Sequence, residues 1–395
     1  MNKVIVLFLF LLCALPLFAQ THQHGVVTIG DGQFNPFVTA DARGGFYLAY
    51  IERSNNASNV MLRHAPDGVN FSAPVRVNDQ VGDATVRNEN PPKVIVGPQG
   101  DVYVCWANER GKWKGNIRFA RSTDGGRTFA PALTINSDGT KEPAGHAFQS
   151  LAVDKQGRIY IAWIDERNKQ KEDRGAEIWL TISTDRGKTF SADRRILTDV
   201  CECCRTNLQT DASGNLYLSY RTVPRDGPMF RDVIVARSSD GGKTFVPTVV
   251  SLDKWEINGC PVAGPSLSVS ANGQITVAWF MGGIEKPGLY YAMSHDSGTT
   301  FTTRQWLPAQ KRMGKHVHSA LTKNGQFWLA WDDMAEQPFS SWGVIKRPSS
   351  MLLPRGEQQG LTYPVIATND QQVVIAAMRP ASADLFVQTI PLTER

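Results

Sequence analysis

The chain has 395 residues and a formal net charge of +5, from 42 Lys and Arg against 37 Asp and Glu. So small and dispersed a charge, without a Lys/Arg block, argues against a nucleic-acid partner. The length suffices for two ordinary domains or one large repeat architecture.

In chain order, Met1 to Ala19 read first, as a secretory signal peptide. Lys3 precedes an apolar run from Val4 to Phe18 that is short for a bilayer span and lacks a stop-transfer pattern. Cleavage is expected after Ala19, so residues 20–395 form a secreted or periplasmic chain with no transmembrane segment. Cys13 leaves with the signal, and the mature chain keeps Cys105, Cys201, Cys203, Cys204 and Cys260. An odd count in an oxidising compartment leaves at least one cysteine unpaired, metal-bound or intermolecular.

A short strand motif then repeats, with a small residue before an aromatic. The copies are Phe46–Tyr50, Val102–Trp106, Ile159–Trp163, Leu216–Tyr220, Ile275–Trp279 and Phe327–Trp331, with a weaker one at Val373–Ala377. An inner strand precedes each copy; a loop, a third strand, a tight turn and a fourth strand follow. The expected fold is all-β: a single propeller of four-stranded antiparallel blades, seven by the inner strands. Six is the alternative, because the unit around Phe339 to Gly360 is irregular. Val26 to Ile29 is placed to supply the last blade's fourth strand and close the ring, removing exposed sheet edges. A closed ring is expected to be a monomer.

The turn after the third strand carries a signature in four copies: Ser122–Phe129, Ser183–Phe190, Ser238–Phe245 and Ser294–Phe301. Asp124, Asp185, Asp240 and Asp296 are read as turn builders that accept backbone N–H bonds, not as catalysts. A degenerate copy lies at Pro66–Phe71. These turns resemble the Asp boxes, or BNR repeats, of the sialidase superfamily, and the resemblance covers essentially the whole mature chain. True sialidases of that family clamp a substrate carboxylate with three arginines, the first in an Arg-Ile-Pro motif. Here the first inner strand reads Asn35–Val38, and Arg-Ile-Pro occurs nowhere.

Antiparallel strand order puts the Asp boxes on one face and gathers the inner-strand leaders and second-to-third-strand loops on the other. That second face is the expected mouth. Arg110, Arg167, Arg205, Arg221, His146 and Asn207 are its candidate ligand-binding residues, since guanidinium groups suit anionic ligands. Glu166, Asp332 and Tyr363 are the catalytic candidates. Replacing Arg205 or Arg167 by alanine is expected to weaken ligand retention without altering thermal stability. Cys201, Cys203, Cys204 and Cys260 converge on the mouth with His316 and His318. They read either as disulfides or as a soft-metal site for copper or zinc; a redox-active pair is a third reading. Cys105 fills the small-residue slot of its strand copy and reads as a buried hydrophobe. The functions open at this point are recognition of a glycan or other small anionic ligand, divergent glycoside hydrolysis, and metal or redox handling.

Overall fold

A computed structural model describes residues 25–30, 32–109, 111, 114–138, 144–169, 175–283, 286–307, 314–333, 338–346 and 351–392. Every regular element among them is a strand, and the strands form seven four-stranded antiparallel sheets. Each copy of the repeated motif is the second strand of its blade. Ile159–Asp165 is buried along its whole length, as are Leu216–Arg221 and Ile275–Met281. Such strands carry apolar or small residues at nearly every position because both faces pack against neighbouring blades. The core therefore lies between blades. Tyr103, Cys105 and Phe119 of the second blade pack on Leu151, Ile161 and Trp163 of the third. Cys105 is fully buried there.

The first six blades begin at the inner strands Gln33–Ala40, Lys93–Val96, His146–Val153, Asn207–Thr210, Ser266–Val269 and His318–Leu321. The seventh runs Thr362–Thr368, Gln372–Arg379 and Asp384–Pro391, and its outermost strand is Val26–Ile29. That strand pairs from Val26 opposite Gln388 to Ile29 opposite Leu385. The beginning of the described chain thus closes its end. The irregular sixth unit still makes a full blade, through Phe339–Lys346 and Met351–Gln359. The proposed signal peptide lies outside the described residues.

The four Asp boxes share one internal wiring. In the first, Asp124 accepts the Arg127 and Thr128 N–H groups at 3.0 Å each and the Thr128 hydroxyl at 2.6 Å. Ser122 accepts the Gly126 N–H at 2.8 Å and donates to Asp124 at 2.7 Å. Gly126 and Gly187 sit at φ of 87° and 76°, where a Cβ is strained. A Cβ on Gly187 would also come within 2.8 Å of Phe119 in the adjacent blade. The boxes therefore set blade spacing as well as turning the chain.

The Thr hydroxyl, then the other donors of each box, hold these aspartates well below the usual carboxylate range. A depressed folded-state pKa stabilises the fold above the unfolded value, about 3.9 for Asp, and that stabilisation is lost as pH falls below it. Melting temperature is expected to hold near neutrality and to fall below about pH 4. Asp185→Asn should flatten that acid slope; an unchanged slope would deny the boxes this role.

Candidate functional site

The small-residue slot of each second strand faces one residue of the inner strand. The pairs are Phe37 with Ala49, Lys93 with Cys105, Ser150 with Ala162 and Asn207 with Ser219. Ser266 with Ala278, His318 with Ala330 and Val365 with Ala376 complete the set. These seven inner residues stand at one level of the central channel. Phe37, Lys93, Ser150 and Asn207 line a cavity of about 250 Å³ bounded by the inner strands of the first four blades. The Lys93 ammonium lies 4.3 Å from the centre of the Phe37 ring, and His318 meets the same ring edge-on at 5.8 Å. Burial, with the Arg205 charge second, pushes the Lys93 amine down to about 7. Burial likewise lowers His318, whose Nδ1 accepts the Ile366 N–H at 3.3 Å.

Above this ring the channel is crossed by one ion pair. Arg205, leading into the fourth blade, donates to Glu89, leading into the second, and to the Val317 carbonyl, leading into the sixth. The other Glu89 oxygen accepts the Gly264 N–H at 2.8 Å. Both side chains are buried, and Glu89 has a left-handed backbone (φ 58°). Three blades and a fourth leader therefore meet on a single guanidinium–carboxylate pair.

Beside the pair is a small nook lined by Asn35, Glu89, Lys93, Arg205, His316, His318 and Tyr363. Its volume is about 30 Å³, enough for a water or a small polar group and too little for a sugar ring. His316 Nδ1 lies 2.8 Å from both oxygens of Asp332, which is 1% exposed. Asp332 also accepts the Tyr363 N–H at 2.8 Å. The His316 and Tyr363 rings lie 4.3 Å apart. A carboxylate on Nδ1 fixes the tautomer whose Nε2 is a free acceptor. Nε2 is buried and has no hydrogen-bond partner among the described residues. Burial first, then the Asp332 and Glu89 charges, raise the Tyr363 phenol well above its ordinary range.

A wider cavity of about 820 Å³ opens between the leaders and loops of the second to fifth blades. Phe148 is its aromatic wall, with the Arg87 guanidinium 4.9 Å above the ring centre. Arg87 pairs with Glu109 at 3.5 Å, and Lys169 stands 3.7 Å from Glu166 and 3.6 Å from Glu202. Cys203 and Cys260 close its far side and are joined in a disulfide. The Asn35 amide donates to the Arg87 carbonyl at 2.7 Å and so ties the nook to this cavity.

Of the catalytic candidates, Tyr363 lines the nook, Asp332 is buried behind His316, and Glu166 lines the wider cavity. Of the ligand-binding candidates, Arg110 lies outside the described residues and Asn207 lines the channel. The others are taken up by the framework. Arg221 is fully buried and donates to the carbonyls of Ala263, Arg231 and Phe280. Arg167 is held by Asp165 at 2.7 Å and Asp193 at 2.6 Å, and stacks on Trp179 at 3.8 Å. His146 is buried 3.2 Å from Asp165 and 3.3 Å from Asp138. Burial opposes its charge, but the two aspartates outweigh it and lift its pKa to about 9.

The cysteines and histidines do not form one cluster. Cys201, Cys203 and Cys204 gather with Cys260, while His316 and His318 face the nook. Sequence reading passed over Glu89, Lys93 and Arg87. Lys93 could have been found, since it is the one lysine or arginine opposite a small-residue slot. Glu89 precedes Asn90 and Pro91 much as Asn35 precedes Pro36, a weaker signal.

Residues 44–375 match the BNR repeat-like domain family. No curated protein matches the sequence. Among solved structures, a PL25 polysaccharide lyase (ulvan lyase) bound to -[GlcA(1-4)Rha3S]- is similar at 13% identity and a TM-score of 0.61, over 94% of this chain and 96% of that one. The NanB sialidase of Streptococcus pneumoniae is similar at 10% identity and 0.54, over 93% and 94%. The leech intramolecular trans-sialidase complexed with 2,7-anhydro-Neu5Ac is similar at 11% identity and 0.51, over 94% and 92%. At these identities the likeness concerns the fold.

The burial of Arg205 reverses the expectation that its loss leaves stability untouched. Removing one partner of a buried pair strands the other charge, at about 3–5 kcal/mol. Arg205→Ala is expected to lower the denaturant midpoint accordingly, and Arg205→Met with Glu89→Gln to recover part of the loss. Equal stability of Arg205→Ala and the parent would show that the pair does not hold the mouth together.

Proposed function

This chain belongs to the BNR repeat-like domain family, and from that premise we propose that it is a carbohydrate-active propeller that cleaves a carboxylated saccharide at its axial mouth by proton transfer. The observation that carries the reading is the His316–Asp332–Tyr363 arrangement, with an unpartnered His316 Nε2 at the nook. Asp332 holds the imidazole in the tautomer of a general base and would stabilise the imidazolium that forms. Tyr363 keeps its proton because burial and two carboxylates raise its pKa, which suits a donor to a leaving oxygen rather than a phenolate nucleophile. Lys93 and the Glu89-paired Arg205 line the nook where a substrate carboxylate would come, and that carboxylate would hold Lys93 in its charged form, which stabilises electron density developing beside it.

A base, a donor and nearby cations favour elimination next to a carboxylate over double-displacement hydrolysis. Two of the similar structures are complexed with carboxylated sugars, GlcA and 2,7-anhydro-Neu5Ac, which supports the substrate class. The wide cavity would seat the saccharide chain against Phe148, with Glu166, Lys169 and Arg87 at its hydroxyls. Only the acidic edge of one sugar would reach the nook, which has room for little more. The signal-like segment Met1 to Ala19 supports export, where such polymers are met.

His316→Gln is expected to lower turnover of a uronic-acid or sialylated polysaccharide by about 10²–10⁴-fold, the usual worth of a general base, with KM nearly unchanged. Tyr363→Phe should act in the same direction. Elimination would appear as new ultraviolet absorbance from a carbon–carbon double bond, hydrolysis as reducing sugar without it. Folded protein that neither binds nor cleaves any acidic saccharide, or cleavage untouched by His316→Gln, would remove the proposal.

A further inference from the structure

The sulfur group beside the mouth has no part in the chemistry above. Cys203 and Cys260 are bonded, and Cys201 and Cys204 are buried free thiols. Cys201 Sγ lies 3.7 Å from Cys203 Sγ and 3.3 Å from Cys204 Sγ. It is thus at contact distance from one sulfur of the bridge and from a second thiol. Cys260, at the outer end of the bridge, is exposed.

The surroundings favour a thiolate. Arg231 is 5% exposed, and its Nε and Nη1 have no hydrogen-bond partner among the described residues. Its charge helps to lower the Cys201 thiol, second to the Cys204 hydrogen bond in favouring the thiolate and against the burial that opposes it. Arg221 lies close enough to Cys204 to act on it in the same sense, against burial that raises that thiol. Two buried guanidinium groups suit a nucleophilic thiolate and disfavour a bound cation. With Cys203 bonded, the group also offers only two free thiols, fewer than the three or four ligands of a zinc site.

We propose that these four cysteines form an internal thiol–disulfide exchange site, in which the bridge moves from Cys203–Cys260 at the surface to Cys201–Cys204 in the interior. The Cys201 thiolate attacks Cys203 Sγ. A Cys201–Cys203 bond forms, the Cys203–Cys260 bond breaks, and Cys260 leaves with the electron pair and takes up the proton that Cys201 gave up. Cys204 then attacks Cys201 Sγ and expels Cys203, which receives the Cys204 proton. One disulfide and two thiols enter and leave, so no external oxidant or reductant is required. Glu202, Cys203, Cys260 and Val262 all wall the wide cavity, and the bridge is the covalent link between the fourth and fifth blades there. Its transfer releases that wall and presents two thiols, Cys260 exposed, to a disulfide outside. The inference does not depend on the saccharide reading.

The test uses the full mature chain, freed of metal by chelation and held without oxygen or added thiol. Samples are quenched in acid over hours, alkylated in denaturant and mapped by peptide mass spectrometry. A Cys201–Cys204 bridge is expected to appear as Cys260 becomes alkylated, with Cys105 a free thiol throughout. Cys204→Ser should lose the Cys201–Cys204 product, and Cys201→Ser should lose all migration. The same chain in urea serves as the control that a moved bridge is detectable. A bridge that stays wholly on Cys203–Cys260 in the native chain, while it scrambles in urea, would overturn the proposal. So would a zinc or copper adduct on all four sulfurs of the reduced chain with no migration in the oxidised one.

Discussion

The mouth is organised by one buried ion pair. Arg205 reaches across the channel axis to Glu89 and to the Val317 carbonyl, while Glu89 also accepts the Gly264 N–H. Burying two charges is costly, and a pair of this kind is a poor source of net stability. What it supplies is position. His316 is next to Val317, Arg87 is two residues from Glu89, and Gly264 closely follows the bridged Cys260. His316, Arg87 and the disulfide are thus each within a few residues of a point that the pair holds.

The ring around the pair is rigid for independent reasons. Strands buried on both faces lock each blade to its neighbours, and Val26–Ile29 closes the circle by pairing with Asp384–Pro391. The Asp boxes brace the opposite face through wiring that consumes the carboxylates of Asp124, Asp185, Asp240 and Asp296 internally. The candidate site and the bracing turns are therefore at opposite ends of the strands. Sites carried on leaders and loops over a fixed sheet are the usual arrangement in such folds.

The scaffold was legible from sequence because it repeats. Seven strand copies in phase with four turn signatures leave little freedom of architecture, and the closing strand followed from a blade one strand short. The site does not repeat, and its legibility was uneven. Asp332 and Tyr363 stood out by position, but pairing Asp332 with His316 required geometry. Arg167 and Arg221 looked like ligand clamps because a sequence shows a guanidinium and not what its donors already hold; Arg221 is satisfied by three carbonyls. The histidines were grouped with the cysteines because all sit in leaders on one face. His316 instead precedes its inner strand and turns to Asp332, whereas His318 lies in the strand and enters the channel ring. Glu89 escaped notice because its role depends on a partner 116 positions away.

The central claim is that function resides at the axial mouth, on the nook beside the Glu89–Arg205 pair. The most direct measurement is a crystal structure of the protein with a carboxylated oligosaccharide, using His316→Gln to prevent turnover. The expected result is a sugar carboxylate facing Arg205 and Lys93, with the adjoining ring beside Gln at position 316 and Tyr363 and the chain running over Phe148. A saccharide bound instead on the Asp-box face, or at the rim with the nook untouched, would contradict it.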